Sequence, residues 1–268
     1  MLWFFIYFLW FLYDSFSIIN VDTSKEELMN FFEYTSLDDT VSHGLTLIER
    51  IAPLVILIII IFLIYNYQEK LKNFKNEKII RYILAGLMIF GEISFITWNF
   101  IHSLNGDVRF INTLPLQLCS YAIIGLIITL ILCNKKVYNY VYIFGVVSFL
   151  ALLFPNLNHG VNSFRYYQLY FSHSLLMIAL FYMYKIHGFY PKKDDLIKSF
   201  VFLQILIVIS LILNVILNTD FLFIGPGNKP IDFAWDWPGH MIQYEFFMVV
   251  VYFIFYKILK KLNEVQNG

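Results

Sequence analysis

Seven stretches of the chain, at roughly 45–66, 79–101, 113–133, 137–155, 165–186, 197–217 and 239–260, are each long and apolar enough to cross a lipid bilayer. A hydrocarbon core takes about 20 mostly apolar residues per helix, so the runs predict an all-α fold, a polytopic membrane helical bundle with seven core transmembrane helices. Composition enters only as a check. The 268 residues are 59% hydrophobic and 14% charged, against about a quarter charged in a soluble domain. Basic and acidic residues balance at 19 each, which gives no electrostatic footprint for nucleic acid. Two cysteines make no disulfide framework, and no His, Cys, Asp or Glu spacing reads as a metal or cofactor motif.

Residues 1–19 form one more apolar run, interrupted by a single charge at Asp14. As a signal anchor it adds an eighth helix. The alternative is a start of translation at Met29, since Lys25-Glu26-Glu27-Leu28 is what a purine-rich ribosome-binding site gives when read in frame. Residues 1–28 are therefore an extension or an extra transmembrane helix, and 29–268 a single multi-helix membrane domain. Lysines and arginines orient it. The segments around 68–81, 135–136, 185–198 and 257–261 collect 14 of the 19 basic residues, and they fall on alternate connections. This side is expected to face the cytoplasm, with the C-terminus inside.

Polar groups within the spans are unevenly distributed in depth. Lipid offers them no partners, so they tend to face a bundle interior or a pathway. The expected cytoplasmic halves are almost purely apolar, as in Ile56–Ile64 and Leu175–Phe181. The external halves hold Glu92, Asn99, His102, Gln117, Cys119, Gln168, His173, Asn214, Asn218, Gln243 and Glu245. One-sided polarity predicts a pocket open to the outside. Cys119 and His173 fall at similar depths, about 9 and 12 Å below the outer ends of their helices at 1.5 Å per residue, with Pro115 in the first turn of the helix that carries Cys119. A neighbouring imidazole can take a thiol proton and make it a nucleophile. Cys133, 14 residues further along the same helix, reads as an ordinary buried thiol. His102 and His159 are expected to be solvated near the external interface.

Three motifs carry a resemblance. The run Asn112-Thr113-Leu114-Pro115-Leu116-Gln117-Leu118-Cys119-Ser120 resembles the Leu-Pro-Leu-His-Leu-Cys signature of the YwaF-type bacterial integral membrane family. Phe164 to His173 is similar to that family's aromatic-rich stretch ending in Gly-His. Asn218-Thr219-Asp220-Phe221-Leu222, Lys229-Pro230 and Asp236-Trp237-Pro238 resemble its last extracellular loop. The family is similar to a eukaryotic transmembrane acyltransferase that remodels ether phospholipids with a Cys and a His, and more distantly to membrane hydrolases of fatty-acid esters that use Thr and His. Carried over by motif, the catalytic pair is Cys119 and His173. Two departures stand out: Gln117 replaces the usual His, and Ser172 replaces the Gly before His173, where it is expected to narrow the approach to the ring.

The resemblance implies a plasma-membrane enzyme of bacterial type that transfers or hydrolyses acyl groups of outer-leaflet lipid esters through an acyl-thioester, without a cofactor. Membrane lipids are the implied partners. Gln117, Asn99 and Asn218 are expected to hold the oxyanion, while Glu92 or Glu245 orients His173. The competing reading is a small-metabolite transporter or receptor with Glu92 as proton carrier or counter-ion.

Overall fold

In the computed structural model the described residues are 31–33, 45–155, 160–226 and 235–267, the side chains of 259–267 excepted. They are helical throughout, without strands. The helices are α1 (Leu47–Asn66), α2 (Gln68–Lys72), α3 (Glu77–Asn105), α4 (Leu118–Leu132), α5 (Lys135–Ser148), α6 (Leu150–Leu153), α7 (Phe164–His187), α8 (Lys193–Leu217) and α9 (Gly239–Asn267), with 3-10 turns at Phe110–Thr113 and Phe221–Phe223. Each of the seven expected spans coincides with one of them. Six spans, including α5 continued by α6, are long and apolar enough to cross a membrane, and α4 is a shorter apolar helix. The N-terminal run lies outside the described residues.

α7 is the centre of the bundle and packs against α1, α3, α4 and α5. Its sequence explains the position, because apolar residues fall on all its faces and fourteen of its side chains are buried. α1, by contrast, buries only Leu57 fully and turns Ile48, Ile56, Ile58 and Phe62 outward, as a lipid-facing helix does. Its start is fixed by a capping box in which Thr46 and Glu49 exchange hydrogen bonds. Glu49 also accepts from the Val161 N–H at 2.8 Å, and its carbonyl accepts from the Tyr166 hydroxyl at 2.7 Å, which ties α1 to the start of α7.

α4 and α5 form a hairpin turned at Cys133 and Asn134. The Asn134 side chain caps α5 by accepting from the Lys136 and Val137 N–H groups. Gly125 lets the two helices close, since a Cβ there would meet the Val141 side chain. α9 leans on α8 through Gln204 donating to Glu245 at 2.9 Å and Ser199 bonding the Tyr252 hydroxyl at 2.7 Å.

One boundary differs from expectation. α4 begins at Leu118, so Pro115 precedes the helix instead of opening it. Leu114 is extended, with φ −64° and ψ 139°, as a residue before proline prefers. α4 and α7 run parallel and end level with each other, for the Cys133 sulfur is 3.5 Å from His187 Nδ1. α7 has 24 residues and α4 has 15. At 1.5 Å per residue, α4 starts about 13 Å below the start of α7.

Candidate active site

Cys119 is the second residue of α4, inside its first turn. This corrects the depth read from the sequence, where α4 was expected to start higher. The first N–H groups of a helix have no intrahelical acceptor and carry its positive end; in α4 the first to bond back within the chain is Tyr121, to the Gln117 carbonyl. The backbone N–H and the hydroxyl of Ser120 both reach the Cys119 sulfur. The thiol is half-buried.

His173 is the tenth residue of α7. Its Nδ1 lies 3.0 Å from the Leu169 carbonyl oxygen, one turn back. A carbonyl only accepts, so Nδ1 carries the proton and Nε2 keeps a lone pair. Among the described residues no hydrogen bond joins Cys119 to His173. Their register is instructive. His173 follows Cys119 by 54 residues, and His187 follows Cys133 by the same 54. Cys133 stands just past the last helical residue of α4, so the equal spacing puts the members of each pair at matching heights along the two helices.

Glu92 of α3 is within electrostatic range of both Cys119 and Arg165. Arg165 donates to Gln168 Oε1 and lies 4.4 Å from the Phe95 ring and 5.7 Å from that of Trp98. Gln168 in turn donates to the Ser172 hydroxyl at 3.2 Å. Ser172 does not crowd the imidazole as expected: it points at α3, where Gly91 leaves a notch for it. Tyr244 of α9 is also within electrostatic range of Cys119 and Glu245.

The remaining expected residues take other positions. Neither Glu92 nor Glu245 hydrogen-bonds His173 among the described residues; the Leu169 carbonyl orients the ring, and Glu245 faces Gln204. Asn99 donates its amide to the Phe95 carbonyl of its own helix at 3.0 Å. Asn218 is an exposed, left-handed C-cap of α8, whose carbonyl accepts from Arg109 at 2.7 Å. Gln117 uses both ends of its amide, donating to the Asp220 carbonyl at 3.2 Å and accepting from the Leu222 N–H at 2.9 Å.

Gln117 thus holds a plug. Phe221, Leu222 and Ile224 are buried, and Asn214 brackets the same segment through the Phe221 N–H, the Phe221 carbonyl and the Thr219 hydroxyl. Leu222 and Phe223 adopt positive φ, 57° and 58°, strained for residues with a Cβ. Burial pushes the Asp220 carboxyl above the ordinary aspartate range, partly offset by the Gly225 N–H and the charge of His240. His240, absent from the sequence reading, is 2% exposed, and neither ring nitrogen has a hydrogen-bond partner among the described residues.

His102 is not solvated. It is buried, with Nδ1 2.8 Å from Asp107 and Nε2 2.8 Å from the Phe32 carbonyl. His159 lies outside the described residues, among which no group of His, Cys, Asp and Glu is arranged to hold a metal ion. Nor is the lysine-rich half without polar chemistry: Cys133 is half-buried beside His187, and the equal separations of the two Cys–His pairs were the sequence signal for it.

A family model, the TMEM164 family, matches residues 40–256. Neither the curated proteins nor the solved structures contain a match to the chain.

Proposed function

The chain belongs to the TMEM164 family and is a multi-pass membrane protein, and from that premise we propose that it is a membrane-embedded acyltransferase or acyl hydrolase acting on lipid esters through Cys119 and His173. The observation that supports this reading is the equal spacing of the two Cys–His pairs, which sets Cys119 at the height of an imidazole whose Nδ1 is engaged by the Leu169 carbonyl. His173 Nε2 takes the Cys119 proton, and the thiolate attacks the ester carbonyl. The carbon–oxygen bond breaks, the leaving alkoxide takes the proton from His173, and an acyl-thioester remains on Cys119. A lysolipid hydroxyl or water then attacks it by the reverse route. N–H groups in the first turn of α4, which have no intrahelical acceptor, supply the oxyanion donors, a role the engaged amides of Asn99 and Gln117 leave to the backbone. The lysine-rich end is read as cytoplasmic from its charge, which puts Cys119 and His173 toward the outer leaflet of a bacterial plasma membrane, as similarity to the YwaF-type proteins supports.

Lipid analysis of membranes carrying the wild-type protein or Cys119→Ala tests this, together with intact-mass analysis of the purified protein. Altered acyl composition of one phospholipid class, lost in the variant, and an acyl adduct on Cys119 are expected. Identical lipid profiles and an unmodified Cys119 would overturn it. The proximity of Glu92 to Arg165 inside the bundle favours one second reading, a transporter or receptor for a small metabolite. Under it Glu92→Gln abolishes function while Cys119→Ser is silent.

A further inference from the structure

The lysine-rich end of the bundle holds a second thiol beside an imidazole, and this pair is complete. Cys133 Sγ lies 3.5 Å from His187 Nδ1. On the far side of the ring, Nε2 lies 2.8 Å from Glu77 Oε1. That oxygen also accepts from the Tyr182 hydroxyl at 2.8 Å, while Arg81 Nε donates to the other carboxylate oxygen at 3.0 Å. Arg81 is anchored in turn by donating to the Leu130 carbonyl at 2.6 Å. A carboxylate accepts, so the ring proton sits on Nε2 and the Nδ1 lone pair faces the thiol. Nucleophile, base and orienting carboxylate follow one another in the order that activates a thiol, and three different helices, α4, α7 and α3, supply them.

Two further features bear on what this centre meets. Cys133 is half-buried and ends α4 in the left-handed region, at φ 50° and ψ 44°, where a residue with a Cβ is disfavoured and glycine is the usual occupant. Ile131 and Leu132, just before it, are apolar and exposed, and Lys135 and Lys136 follow it in the chain, as Lys78 follows Glu77. An acyl chain suits the first kind of surface and an anionic head the second.

We propose that Cys133, His187 and Glu77 form a second reactive centre, which takes an acyl group from a long-chain acyl thioester of a phosphate-bearing carrier. His187 Nδ1 accepts the Cys133 proton, and the thiolate attacks the thioester carbonyl. The bond from that carbon to the carrier sulfur breaks, and the departing carrier thiolate takes the proton from His187. One thioester replaces another, with no oxidant and no net proton change. The centre lies about 21 Å from Cys119 along α4 and does not depend on the reading given to that residue.

The test uses the full chain in lipid nanodiscs, with Cys119→Ala throughout so that Cys133 is the one thiol. Palmitoyl-CoA is the probe, and the readout is a hydroxylamine-labile acyl adduct on the peptide containing Cys133. The adduct is expected to form, at least about tenfold more slowly in His187→Asn and more slowly with the uncharged donor palmitoyl-N-acetylcysteamine. No adduct, or the same rate in His187→Asn, would overturn the centre; equal rates from both donors would overturn the anionic carrier. A measurement that leaves the triad intact guards against misfolded variants. Iodoacetamide should alkylate Cys133 faster than a reference thiol placed at the exposed Asn76 by Asn76→Cys, and slower alkylation of Cys133 would equally sink the proposal. Because Cys119 is absent from the acylation assay, failure here leaves the reading of Cys119 untouched.

Discussion

Gly91 and Ser172 fit together as notch and peg: a Cβ on the glycine would come within 2.8 Å of the serine Oγ. The contact joins α3 to α7 next to His173, and Ser172 also accepts from Gln168 there. Gly91→Ala should therefore destabilise the protein by about 1–3 kcal/mol through overpacking. Ser172→Gly on top of it should restore most of that loss. Thermal unfolding of the two single variants and the double variant gives the coupling; additive effects would mean that the helices part without needing this fit.

The hydrogen bond from His173 Nδ1 to Leu169 can be kept while the base is removed. Asn99 already donates to a carbonyl four residues back, at 3.0 Å, so His173→Asn should do the same and fold normally. Acyl-enzyme formation on Cys119 should nevertheless fall by about 10²–10⁴-fold, the usual worth of a general base. A variant that keeps a tenth of the rate would remove His173 from the chemistry.

Asp220 gives a pH signature. Its pKa is raised in the folded protein by burial, so the folded state holds this proton more tightly than the unfolded chain. The carboxyl costs the fold nothing below the unfolded aspartate pKa of about 3.9, and stability falls as pH rises from there through the folded value. Asp220→Asn can still accept from the Gly225 N–H. The melting temperature of the variant should exceed that of the wild type at pH 7 and match it at pH 4. Equal melting temperatures at pH 7 would show that the charge is tolerated in place.

Glu77 is the hub of the cluster at the lysine-rich end. Removing it leaves Arg81 Nε, on a side chain 8% exposed, and the His187 and Tyr182 donors without their acceptor, while Arg81 keeps only the Leu130 carbonyl. Glu77→Ala should cost about 1–3 kcal/mol, as leaving part-buried donors without their acceptor does. Glu77→Gln, which keeps the acceptor oxygen, should cost less. Chemical unfolding of the two variants measures the difference.

Helix α3 tests the orientation by itself. Asn76 and Asn105 are exposed at its two ends, and 29 residues separate the ends by about 43 Å. In a background without Cys119 and Cys133, Asn76→Cys should react with an impermeant reagent only from the cytoplasmic side and Asn105→Cys only from outside. The reverse pattern would put Cys119 and His173 in the cytoplasmic half.

The seven helices were legible from run length, six of them as long as a span needs and α4 shorter than its apolar run. The start of α4 was not legible: Thr113, Leu114 and Leu116 are as apolar as a helix needs, and only the conformation before Pro115 separates them from it. The same physics hid the true partners of Gln117 and Asn99. An amide in a sequence shows that it needs partners, but whether these are substrate, its own helix or a distant loop depends on the fold. Glu77, Tyr182 and His187 were passed over because they stand at the depth where polar residues normally meet water. Their convergence needs α3 and α7 side by side, and neither helix carries a motif that says so.

The shortness of α4 has a consequence for the membrane around it. Fifteen residues span about 22 Å, some 8 Å less than a typical hydrocarbon core. Lipids against this helix must thin or tilt to match it, and the level that sinks is where their glycerol ester linkages lie. A phospholipid beside α4 would then present its carbonyls nearer the height of Cys119. If Cys119 acts on such esters as proposed, thicker, more ordered membranes should slow formation of the acyl adduct without any change to the protein's residues.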